Sequence, residues 1–150
     1  MNLQSDSKRI ASEVAASLTL DSWEKMRATS LAGAGVCTAL ILFVLQDPGL
    51  RSEAAIPLLL AACSLPLHLA AAFMVENYVT QGERSYKNLR SAWGFWIMAL
   101  AFFVGAGLLV ASFFMLIHLY FPSVAFVFLA MSALCFFLTM WHQTVTKTGA

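Results

Sequence analysis

Charge is what this chain has least of. Only 11% of its 150 residues are Asp, Glu, Lys or Arg, where a soluble domain carries about 25%. Apart from Lys147, the charges fall before Ala28, between Asp47 and Glu53, or between Glu76 and Arg90. Long uncharged stretches exclude an ordinary water-soluble domain and indicate an integral membrane protein. A formal net charge of +1 gives no field that would draw in nucleic acid. Cysteine is scarce too: Cys37, Cys63 and Cys135 each stand alone in an apolar run. That excludes a disulfide framework and reads as thiols acting as small hydrophobes. The opening "MNLQSDSKRI" lacks the apolar core of a signal peptide, so no cleavage is expected.

What the chain does have is hydrocarbon-length helix. Four runs approach the roughly 20 residues that cross a bilayer: Ala28–Gln46, Ala54–Tyr78, Ala92–Tyr120 and Phe121–Trp141. The expectation is an all-α membrane protein of four spans, with an N-terminal amphipathic segment over 1–27, a transmembrane domain over 28–141 and a short tail over 142–150. Pro122 suits a helix start, where its missing N–H has no partner to lose. Lys8, Arg9, Lys25, Arg27, Arg84, Lys87, Arg90 and Lys147 share one side of this arrangement and Arg51 stands on the other. The positive-inside rule then places both termini in the cytoplasm. Trp23, Tyr86, Trp93, Trp96 and Trp141 near inner ends, and Tyr120 near an outer end, match interfacial anchors. Before the first span, Ile10, Val14 and Leu18 form an apolar stripe. It suits the membrane surface, a neighbouring subunit, or a helix packed on nothing in particular.

Within the second span, "LPLHLAAAF" carries a histidine deep in an apolar run, where a polar group is costly and suspect. His68 shares a helical face with Ala61, Ser64, Ala71 or Ala72, and Val75. The first span answers with "TSLAGAGVC", in which Ala32, Gly33, Ala34 and Gly35 let another backbone approach closely. His68 lies fourteen residues inward of Ala54, and Gly33 fourteen inward of Asp47. At ~1.5 Å per residue the two are level, so the two faces should pack, with the imidazole near Ser30. A hydroxyl or bared carbonyl would accept its N–H. Static packing and a moving latch both fit, and Pro66 two residues earlier predicts a kink. No acid lies deep in any span, and H-E-x-x-H, G-x-S-x-G and phosphate-loop motifs are missing, so catalysis and bound cofactors are not expected.

A second feature of the first span is the stripe Ala28, Ala32, Val36 (or Gly35), Ala39, Phe43 and Asp47, which recurs at helical spacing. In a ring of identical helices it would make an apolar tube, with phenylalanines one turn below an acidic mouth. The plainer reading of the same stripe is a helix face buried among its neighbours, with Asp47 a solvated loop acid capping Pro48.

Three stretches resemble the Orai family, the store-operated calcium-channel subunits of the plasma membrane. "LHLAAAFMVENYV" resembles the family's second-span segment, "GERSYKNLRSAWGF" its basic loop and third-helix start around Trp93, and "FFLTMWHQTVTKTG" its closing segment, with His142 at the histidine. The resemblance implies four helices, cytoplasmic termini and six subunits whose first helices line a pore. It implies Ca²⁺ or another cation as the permeant ion, the lipid bilayer and further copies of the chain as partners, and a plasma or bacterial inner membrane as location. Asp47 would meet the cation at the mouth. His68, Ser30 and Trp93 would form a gating latch. In the ungapped register Phe43 takes the place of the family's filter glutamate, and a slide by three brings Gln46 there instead. Basic residues before the pore helix are reduced to Lys25 and Arg27. The rival expectation is a non-conducting tetraspan scaffold or accessory subunit.

Overall fold

The computed structural model describes the backbone of residues 3–89 and 91–148, and side chains from 4 to 138 apart from 51, 52, 90 and 136. The expectations placed on Arg51, Arg90, Trp141, His142 and Lys147 lie outside the described side chains. The described residues form helices and no strand: α1 Leu3–Ser17, α2 Leu20–Gln46, α3 Pro48–Glu53, α4 Ala55–Gln81, α5 Glu83–Lys87, α6 Ala92–Tyr120 and α7 Pro122–Thr148.

The breaks between helices are chemically marked. The Thr19 side chain accepts from the Ser22 N–H and caps α2, so this helix starts eight residues before Ala28 and carries the first span out past its apolar run. Asp47 precedes a proline, which disfavours helical backbone, and α2 stops there with ψ at 108°. Gly82, at φ +53°, ends α4 in the left-handed region that only glycine enters cheaply. Ser91 accepts from the Trp93 N–H to open α6, and Pro122 opens α7. Pro66 stands inside α4, which continues through it unbroken.

Among the described residues three helices, α2, α4 and α6, are long and apolar enough to cross a membrane, which makes this an integral membrane protein. In α7 the described apolar stretch is Pro122–Cys135, shorter than a span. α4 lies between α2 and α6, and α7 rests against α6. On α4 the buried residues are Pro57, Ala61, Ser64, His68, Ala71, Val75 and Tyr78, with Ala72 beside Ala71. Apart from Ala72 they alternate steps of four and three, the 3.5-residue repeat of helices that supercoil left-handedly.

Polar rungs join the three helices. Ser112 Oγ donates to the Pro57 carbonyl at 2.7 Å, and Ser64 Oγ to the Gly105 carbonyl at 2.7 Å. Cys37 Sγ reaches Ser64 Oγ at 3.4 Å. At the end nearer the termini of α1 and α5, Arg27 and Glu76 form an ion pair at 2.7 Å. Here Trp23 stacks on Tyr78 with ring centroids 4.4 Å apart, and Tyr78 meets Phe95 edge-on. α1 folds against α5 and α6, and its fully buried residues are Ala11 and Ala15. Leu18 is half-buried in that cluster, whereas Ile10 and Val14 stay exposed. α1 thus packs through its alanines, and Ile10 and Val14 of the stripe are left uncovered by the described residues.

Candidate functional site

The junction of α2, α4 and α6 is built around His68, which is 3% exposed. A Cβ placed on Gly33 would sit 2.7–2.8 Å from Cε1, Nδ1 and Nε2 of the ring at once. Near-equal distances to three ring atoms mean that the glycine faces the flat of the imidazole. On α6, a Cβ on Gly105 would lie 3.6 Å from Cδ2 and Cε1 of His68 and 3.3 Å from Leu67 Cβ. The ring is therefore seated against two glycines. Each belongs to a Gly-Ala-Gly triplet, 33–35 in α2 and 105–107 in α6, and in both triplets the second glycine, Gly35 or Gly107, faces open space.

The expected packing of the two small-residue faces is present, at the expected level. The expected hydrogen bond is not. Neither ring nitrogen has a partner among the described atoms, and the fully buried Ser30 Oγ has none either. The physical reason is the seat: a ring laid flat on a glycine presents its face, and its N–H edge is not directed at a carbonyl. Trp93 does not join this group. Its side chain is 73% exposed, and it stands twelve residues before Gly105 on α6, about 18 Å along the axis. Gly105 was missed by sequence reasoning, although the repeated Gly-Ala-Gly triplet was a usable signal. The Ser64 and Ser112 rungs were missed because serine in a span gives no sign of which helix it will reach.

No known protein family, curated protein or solved structure matches the chain.

The second set of candidates lies on the opposite face of α2. Ala28, Ala32, Gly35, Val36, Ala39, Phe43, Gln46 and Asp47 are all exposed, while Ser30, Ala34, Cys37, Leu40 and Val44 are buried. The stripe is thus left uncovered by the described residues of the chain. Phe43 is 59% exposed. The Asp47 carboxylate serves its own turn of backbone. Its Oδ1 accepts from the Gly49 N–H at 2.9 Å and from the Leu50 N–H at 3.4 Å, capping α3. Among the described residues no group of three or more His, Cys, Asp or Glu stands together to hold a metal. Among the described residues Asp47 belongs to no such group.

Proposed function

We propose that the chain is a subunit of a passive cation channel of the Orai kind. It spans the membrane four times with both termini cytoplasmic, in a plasma or bacterial inner membrane. Copies assemble, six by the family resemblance, with α2 of each facing a common axis. The observation that carries this reading is the bare stripe from Ala28 to Asp47. A helix with one face packed and the other free from end to end is what a pore-lining position requires. Phe43 then supplies an apolar ring that excludes water, and the Asp47 carboxylates, one per copy, attract cations such as Ca²⁺. His68 acts as a packing latch that holds the pore helix against α4 and α6.

Cation flux into proteoliposomes tests the proposal, with the parent chain beside Phe43→Ala. Large flux in the variant and little in the parent supports a pore closed at Phe43. Silence in both, with protein verified in the bilayer, overturns it. One observation favours the rival scaffold or accessory subunit: the Asp47 carboxylate already caps α3, a use that needs no ion. In that case α2 would present its stripe to a different membrane protein.

A further inference from the structure

Where α4, α5 and α6 meet, beside Tyr78, lies an open groove of about 480 Å³. Met74 and Phe95 form its deeper, apolar wall, and Asn77, Gln81, Arg84 and Asn88 give its polar rim. Two markers fix its level in the membrane. Glu76 is the first charged residue after the uncharged length of α4, and it is ion-paired across to Arg27. Trp93, next to the groove-lining Gly94, is largely exposed, as an indole at the headgroup level is. The apolar wall therefore faces the start of the hydrocarbon, and the rim faces the headgroups.

Charge pairing singles out one residue of that rim. At this end of the bundle Arg9, Lys25, Arg27 and Lys87 each hold a carboxylate within 2.9 Å or less. Arg84 forms no ion pair among the described residues. An unpaired guanidinium flanked by amides, directly above an apolar wall, matches a phosphate ester that carries acyl chains. Guanidinium bonds phosphate in a two-pronged geometry. The amides donate to the remaining oxygens, and Met74 and Phe95 cover the first methylenes.

We propose that this groove binds the phosphate of an anionic membrane phospholipid, with Arg84 as its main ligand. The site depends on the membrane reading of the chain and not on whether α2 conducts.

Native mass spectrometry of the detergent-purified protein tests it, with phosphatidylglycerol and phosphatidylcholine of matched chains as probes. The parent should retain phosphatidylglycerol preferentially. Arg84→Gln should lower that preference about five-fold, the factor one basic contact gives at an anionic surface. Gly94→Leu should lower it too, because no heavy atom lies within 4 Å of a Cβ there and the side chain fills the groove without disturbing the core. Lys25→Gln, at an already paired base, should leave it unchanged. The proposal is overturned by a parent without preference, by a preference that survives Arg84→Gln or Gly94→Leu, or by an equal loss in Lys25→Gln. Displacement of the lipid by inorganic phosphate at the same concentration also overturns it, since the groove would then be a free-anion site.

Discussion

At Gly33 a single missing methyl decides whether α2 and α4 can meet. Gly33→Ala would drive a carbon to within 2.8 Å of three ring atoms of His68. Overpacking of this kind costs about 1–3 kcal/mol. Gly105→Ala meets the same ring at 3.6 Å and Leu67 Cβ at a tighter 3.3 Å, so it should cost something, but less than Gly33→Ala. Gly35→Ala adds a methyl to open space and should gain up to about 1 kcal/mol from helix propensity in the isolated subunit. Thermal unfolding of the three variants in one detergent checks this order. Combining Gly33→Ala with His68→Ala should restore most of the loss, because the ring that the methyl strikes is gone. If the double variant is no better than Gly33→Ala alone, the glycine–imidazole seat is wrong. Half of this seat is legible in the sequence. Counting residues inward from Ala54 and Asp47 puts His68 level with Gly33, because helix rise is fixed. Counting cannot say that the ring lies flat on glycine rather than bonding Ser30, since that depends on a third helix that brings Gly105 to the other contact.

Helix ends carry the next set of consequences. Asp47 caps α3 through its side-chain oxygen, and asparagine caps about as well as aspartate, whereas alanine loses about 0.5–2 kcal/mol. Asp47→Asn should therefore keep the parent's stability and Asp47→Ala should not. In a conducting protein both should lose preference for cations over anions, which reversal potentials under a salt gradient would read. A change in selectivity with Asp47→Asn at unchanged stability separates the charge from the cap. On α5, the Lys87 ammonium beside Glu83 holds that carboxyl below its ordinary range, and Glu83 in turn raises Lys87. The Glu83 contribution to this short helix is thus present above the ordinary carboxylate pKa and fades as pH falls through the lowered one. The Lys87 contribution is present below the ordinary lysine value and fades as pH rises through the raised one. An NMR titration should show the Glu83 midpoint move upward in Lys87→Gln. The difference should shrink in high salt, since the pair is exposed. The breaks at Asp47–Pro48, Gly82 and Pro122 can be read from residue type, because each of these residues restricts or frees the backbone locally. The true start of α2 is hidden. Hydropathy marks where the apolar run begins, at Ala28, whereas the helix is started by the hydroxyl of Thr19.

For the molecule as a whole, the two faces of α2 point to an assembly experiment. With Cys63 and Cys135 replaced, since both are exposed, Phe43→Cys should cross-link copies under oxidation if α2 surrounds an axis. A disulfide needs Cα atoms within about 7 Å, which only a narrow ring provides. Leu138→Cys on α7, equally exposed, should not cross-link. The reverse result would place α7 at the subunit interface and leave α2 to lipid or to a foreign partner. The membrane class of the chain is evident from where its few charges lie. Which helix packs on which is evident only for α2 and α4, whose small-residue faces can be matched. The packed face of α1 is not, because Ile10 and Val14 outweigh Ala11 and Ala15 on any hydropathy scale, although the alanines are the ones that fit. The succession of neighbours, α2 then α4 then α6 then α7, also bears on biogenesis. After α2, each long helix finds its chief partner in one made before it, so these docking steps are available during synthesis, whereas the short α1 waits for α5 and α6. A nascent chain that has been translated only as far as Tyr120 already contains both glycines and the imidazole they hold.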